Sequence, residues 1–241
     1  VALIGEWWQK ENRGFAIGLH HTGFPLGQFV GPVLIGGVIA LTASWRDVFL
    51  FIPLLGVPII IIQLIIATPK KQKKVYDWIK DNGMTVPIDE TPVAKPTFKE
   101  TLFSGLNCLK NRNCLLAIIL FFGFIWAEMG IATFLTVHLT QEVGLDLATA
   151  AVISGASGLT GWIGQIFWGH YSDMKGRKIC LGVIIVGWIA AAIACNFIVS
   201  VATGWIILVG WGLFRNSPFP VIYAFLIDSA PKAAASGMGL M

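Results

Sequence analysis

Two ionisable side chains stand alone near the middle of long apolar runs: Glu128 between Leu115 and Thr140, and Arg215 between Gly204 and Ile227. With a rise of ~1.5 Å per helical residue, each lies about 16 to 20 Å from either end of its run. A charged group at that depth in a bilayer costs roughly 3 kcal/mol by insertion scales, so its presence is a functional hypothesis in itself. The guanidinium of Arg215 stays charged and its planar fork can bond two oxygens of a carboxylate or phosphate at once. Glu128 can take and release a proton. Competition between proton, solute and the opposite charge would couple movement of an organic anion to a proton gradient. The plainer alternative is a structural ion pair between two helices. Asn216, Trp126 and Tyr223, with His138, are further candidates for the pocket wall, although each also fits packing or an interfacial anchor. Arg215 is followed by Asn216-Ser217-Pro218-Phe219-Pro220. The two prolines free the carbonyls of Phe214 and Asn216, and unwound backbone at mid-membrane is tolerated only beside protein or a water-filled cavity.

The elements that must position these groups follow from composition. Of 241 residues, 56% are hydrophobic and 12% charged, about half the charged share of a soluble domain, where it is about 25%. Asp, Glu, Lys and Arg are absent from Gly14 to Trp45, Val48 to Pro69, Leu147 to Tyr171 and Ile179 to Phe214. About 20 apolar residues cross a bilayer as a helix. Backbone polar groups in lipid must bond internally, so runs this long predict helices. Six complete spans are predicted: Phe15 to Leu41, Asp47 to Thr68, Leu115 to Thr140, Leu147 to Tyr171, Ile179 to Val199 and Gly204 to Ile227. The fold class is all-α, a polytopic membrane protein. The chain opens with Val1, and Ala233 to Met241 reads as a span cut after its first turns. Both ends are therefore expected to be cuts through a longer protein.

All 17 basic residues except Arg46 and Arg215 fall on one side of this topology. That side is expected to be cytoplasmic, since Lys and Arg are retained there during insertion. The expected location is the plasma membrane, with the 69–112 loop cytoplasmic. Within it, Thr97-Phe98-Lys99-Glu100 reads as a capping box, and Phe98, Leu102, Leu106 and Leu109 share one helical face, predicting a short interfacial helix. Three parts follow: 1–68, the end of one bundle; 69–112, the joining loop; and 113–241, a second bundle. His20 and His21 are expected to snorkel to the cytoplasmic interface. Asp228 and Lys232 are read as a surface pair or part of a gate.

Two loops and a glycine pattern carry a resemblance to a known family. Gly169-His170-Tyr171-Ser172-Asp173-Met174-Lys175-Gly176-Arg177-Lys178 is similar to the loop G-x-x-x-D-[RK]-x-G-[RK]-[RK] of the major facilitator superfamily, with Met174 where a basic residue is usual. Gly23, Gly27, Gly31-Pro32 and Gly36-Gly37 resemble its fifth-span motif, with one extra residue between Pro32 and Gly36. Glu11-Asn12-Arg13-Gly14 to Gly18, with a weaker echo at Asp228 to Gly237, is similar to a third, duplicated loop. The resemblance implies spans five to ten of twelve, flanked by the end of span four and the start of span eleven. It implies a conformational latch at Gly169, Asp173, Gly176, Arg177 and Lys178, with Asp173 meeting a helix N-terminus while Arg177 and Lys178 sit among headgroups and acidic partners. Gly27, Gly31, Pro32, Gly36 and Gly37 would be the helix-packing motif, against Gly155, Gly158, Gly161 and Gly164. It also implies transport, by proton symport of an organic anion or by proton antiport of a drug or metabolite, with the glycine motif leaning to efflux and Arg215 to anions.

Other classes fit less well. Cys108, Cys114, Cys180 and Cys195 form no C-x-x-C pair, so small buried apolar side chains are the expected role and no metal is expected. Ser154-Gly155-Ala156-Ser157-Gly158 is not G-x-S-x-G, and H-E-x-x-H is absent, so an enzyme lacks its machinery. The expected partners are the lipid bilayer, a small organic solute and protons, without cofactor or nucleic acid, in a functional monomer. A receptor or structural membrane protein is the distant alternative.

Overall fold

The computed structural model describes residues 4, 8–83 and 97–241. After a 3-10 turn at Lys10–Asn12, the helices run α1 (Arg13–His21), α2 (Gly23–Thr42), α3 (Val48–Leu54), α4 (Gly56–Ile66), α5 (Pro69–Asp81), α6 (Phe98–Lys110), α7 (Arg112–Gln141), α8 (Leu147–Ser154), α9 (Gly158–Lys175), α10 (Arg177–Ala194), α11 (Val201–Arg215), α12 (Pro218–Ser229) and α13 (Ala234–Met238). No strand occurs among the described residues. Five stretches are long and apolar enough to cross a membrane: Lys10–Thr42, Trp45–Ile66, Arg112–Gln141, Leu147–Lys175 and Arg177–Phe197. The sixth predicted span is present as two helices, α11 of 15 residues and α12 of 12, parted at Asn216 and Ser217. The break lies where Pro218 and Pro220 remove backbone donors. The protein is thus a multi-pass helical membrane protein. Ile59, Leu64, Val186 and Ile206 each expose two-thirds or more of their surface, which hydrocarbon rather than water must cover.

The described residues gather into two compact units, Val1–Val30 with Val93–Met241, and Gly31–Pro92. In the first unit, residues 10–29 lie on the 113–241 bundle. Its core includes clusters around Phe121, Ile184 and Ile222, around Leu139, Ile153 and Trp211, and around Ile17, Ala224 and Ile227. The second unit contains the rest of α2, then α3, α4 and α5. α5 was not anticipated in the predicted loop; its signal is Thr68, which accepts the Lys71 amide at 3.4 Å, followed by Pro69 at the first helical position. A helix, α6, stands where the short helix was predicted, while the side chains of Phe98 and Leu102 and the whole of 84–96, including Lys95, lie outside the described ones.

Two local devices shape the spans. Asp146 caps α8, accepting the Thr149 amide at 2.9 Å, and the hydrogen bonds from Thr149 hold its carboxyl below the usual range. Between α9 and α10 the predicted loop shrinks to one residue: Gly169 and Asp173 are helical, and only Gly176, at φ 90°, departs. A left-handed φ is accessible to glycine without strain, and it ends the helix abruptly.

Candidate functional site

α7 and α11 bring the two mid-span charges together. Arg215 Nε donates to Glu128 Oε1 at 2.8 Å, and the side chains expose only 5% and 1% of their surface. Arg215 Nη1 donates to Ser157 Oγ at 2.7 Å, from the turn between α8 and α9. The guanidinium also lies 4.6 Å from the centre of the Trp211 ring, one turn back on its own helix. Glu128 Oε2 is buried and has no partner among the described residues. A buried ion pair is weak evidence for stability, because desolvation offsets the Coulombic gain, and apolar replacements are often neutral or better. Keeping one in mid-membrane calls for another reason, and function is the usual one.

Asn216 sits directly on the helix break, fully buried. Its Nδ2 donates to Gln28 Oε1 at 2.8 Å, and its carbonyl accepts from Gln165 Nε2 at 3.1 Å. Glu128, Arg215 and Asn216 are thus brought to one level. Trp126 and Tyr223 are not. Trp126 is 72% exposed; two residues from Glu128 along a helix is about 200° around it, so it points away. Tyr223 lies two turns beyond Arg215 on α12, its ring centre 5.2 Å from that of His21 and 5.4 Å from that of Phe121. His138 lines a separate groove of about 350 Å³ with Phe134, Cys195 and Asn196. His20 is exposed, but His21, expected to snorkel, lies flat against Phe219 with 7° between the rings. Sequence reasoning missed Ser157, Gln28, Gln165 and Trp211. The available signal was that uncharged amides are as conspicuous as charges in an otherwise apolar span.

The second constellation lies at the basic end of the spans. Asp173 accepts the backbone amides of Gly14 at 2.9 Å and Phe15 at 2.8 Å, so it meets the N-terminus of α1 with its negative charge on the positive end of the helix. Arg177 pairs with Asp173 and donates from Nε to Asp228 at 3.1 Å, while Arg13 reaches the other oxygen of Asp228 at 2.5 Å. Arg177 is therefore not among headgroups: its side chain is 10% exposed and spent on acidic partners, whereas Lys178 is exposed. Asp228 belongs to this cluster, and the side chain of Lys232, its expected partner, lies outside the described ones.

Close backbone approach between residues 14–29 and residues 155–169 uses Gly155, Gly158 and Gly161 of the expected small face, but not Gly27 of the motif opposite. A Cβ on Gly158 would lie 2.8 Å from the Phe29 nitrogen, one on Gly155 2.7 Å from the Gln28 carbonyl oxygen, and one on Gly161 2.6 Å from Pro25. Gly169 faces Gly14, and Gly18 faces the backbone of Gln165. Gly164 instead abuts Leu213 of α11. Among the described residues of this unit a Cβ at Gly27 meets nothing within 4 Å. The reason is helical phase: Gly27 lies two residues from Pro25 and Phe29, hence on the far face of the helix that those residues turn towards α9.

The chain is 24% identical over 203 residues to a "Hexuronate transporter" of Bacillus subtilis (strain 168), a match covering 84% of this chain and 45% of that protein. It is 24% identical to a "Probable galactarate/D-glucarate transporter" of the same organism, over 98% of this chain and 54% of that one, and 24% identical to one of that description from Escherichia coli (strain K12), over 95% and 54%. The chain spans about half the length of the curated relatives it matches. No solved structure matches significantly. The family model for the Major Facilitator Superfamily matches residues 1–241, and the chain belongs to that family.

Proposed function

We propose that this chain is part of a secondary active transporter that carries a small organic anion, a polyhydroxy carboxylate of the sugar-acid class, by alternating access coupled to protons. The observation that carries the reading is the buried Glu128–Arg215 pair at 2.8 Å beside a broken span. Arg215 is the carboxylate anchor. In the solute-free protein Glu128 neutralises it; when Glu128 takes a proton at Oε2, the guanidinium is released to bind the solute carboxylate in its place. Proton and solute then arrive together, which is symport. The three relatives, all described as sugar-acid transporters, support the solute class.

In the same reading the Asp173, Arg177, Asp228 and Arg13 cluster is the latch of one conformation, closing the basic, cytoplasmic end. The protein resides in the plasma membrane, with 69–112 on the cytoplasmic side. The test is uptake by proteoliposomes containing the complete protein, offered labelled glucuronate, galactarate or a lipophilic cation. Sugar-acid uptake that Arg215→Gln abolishes supports the reading. Transport of the cation alone, or sugar-acid uptake indifferent to Arg215→Gln, refutes it.

A further inference from the structure

We infer that Gln165 and Trp168 of α9 are positioning residues that hold the broken span, and so aim Arg215. The inference rests on the reading of Arg215 as the solute anchor.

In an unbroken helix the carbonyl of Leu213 would receive the amide of Ser217, and that of Asn216 the amide of residue 220. Here the Ser217 amide turns to the Phe214 carbonyl at 3.2 Å, and Pro220 has no amide hydrogen to give. The Phe214 carbonyl, whose helical donor would be Pro218, is met by that Ser217 amide, but the carbonyls of Leu213 and Asn216 lose their helical donors at mid-membrane, where an unmet backbone group is costly. α9 supplies both. Trp168 Nε1 donates to the Leu213 carbonyl at 3.0 Å, and Gln165 Nε2 to the Asn216 carbonyl at 3.1 Å. Three residues apart, the two donors share one face of α9. Ser217 Oγ adds a second bond to the Leu213 carbonyl at 2.8 Å.

The approach is close because residue 164 is glycine: a Cβ there would lie 2.8 Å from the Leu213 carbonyl carbon. Gln165 is fully buried, and turning its amide would set oxygen against oxygen, so the chemistry fixes Nε2 as the donor. The same face of the molecule meets Arg215 itself through Ser157, which precedes α9. The break is thus clamped at Leu213 and Asn216, on either side of Arg215. Residue 215 is held in place rather than left on a hinge.

The test uses the complete protein in proteoliposomes with labelled glucuronate and galactarate, and four variants: Gln165→Leu, Trp168→Phe, and each combined with Pro220→Ala. Gln165→Leu is expected to raise KM about tenfold with Vmax within about twofold, the size expected for one buried unmet carbonyl. Pro220→Ala returns an amide hydrogen to the Asn216 carbonyl, so it restores KM on the Gln165→Leu background and not on the Trp168→Phe background. An unchanged KM in Gln165→Leu, or no selective rescue, overturns the clamp. Hydrogen exchange of 213–221 in the solute-free protein gives a reading independent of the solute. Exchange should speed up in Gln165→Leu and slow again with Pro220→Ala, and exchange indifferent to both overturns the clamp even if no sugar acid is carried. Absent sugar-acid uptake in the unmutated protein, with the exchange pattern intact, refutes the anchor reading and upholds the clamp.

Discussion

Asp173 Oδ1 accepts the backbone amide of Gly14 at 2.9 Å, joining residues 159 positions apart in sequence. A carboxylate whose side chain is 1% exposed, held at a helix N-terminus and paired with Arg177, ties α9 to α1 at the basic end by charge-assisted bonds worth about 1.5–3 kcal/mol each.

Asp173→Ala therefore loosens this end. A single cysteine at Phe15, in a background lacking the four native cysteines, should react with a water-soluble maleimide at least tenfold faster in Asp173→Ala than with Asp173 present. An unchanged labelling rate would mean that Asp173 does not hold α1.

The glycine contacts separate two faces of one helix. Gly158→Ala puts a methyl group 2.8 Å from the Phe29 nitrogen and should cost about 1–3 kcal/mol through overpacking. Gly27→Ala points into open space and should be neutral or stabilising by up to about 1 kcal/mol. Thermal unfolding of the detergent-solubilised variants measures both, and the reverse order would show that the face is misassigned.

Ser157→Ala deprives Arg215 Nη1 of its 2.7 Å acceptor. An unmet buried guanidinium hydrogen costs about 1–3 kcal/mol, so sugar-acid affinity should fall about tenfold, with Ser157→Thr keeping most of it. Equilibrium binding of labelled glucuronate tests this, and equal losses in both variants would point to packing rather than to the hydroxyl.

The spans were legible because, Glu128 and Arg215 apart, charge vanishes from the interior of each, and the break in the sixth because Pro218 and Pro220 stand close together. Depth was legible too: Glu128 and Arg215 meet. Helical phase was harder. Trp126 lies two residues from Glu128 and Gly27 two from Pro25, and a two-residue offset on a helix reaches the opposite side. Which face of a nearly uniformly apolar helix turns inward depends on neighbours that the local pattern does not name. The acceptors and donors that complete the site, Ser157, Gln28 and Gln165, were invisible to a search for charge. Of the loop Gly169 to Lys178, Asp173 and Arg177 meet in the ion cluster, Lys178 is exposed, and all but Gly176 is helix, which a loop motif does not announce.

The central claim is that Glu128 carries the proton and Arg215 the solute. Glu128→Gln in the complete protein, reconstituted and loaded with unlabelled glucuronate, isolates the two roles. Solute exchange across the membrane should persist, while accumulation driven by an imposed pH gradient should fall to the level of passive equilibration. Accumulation that survives Glu128→Gln with unchanged pH dependence would contradict the account.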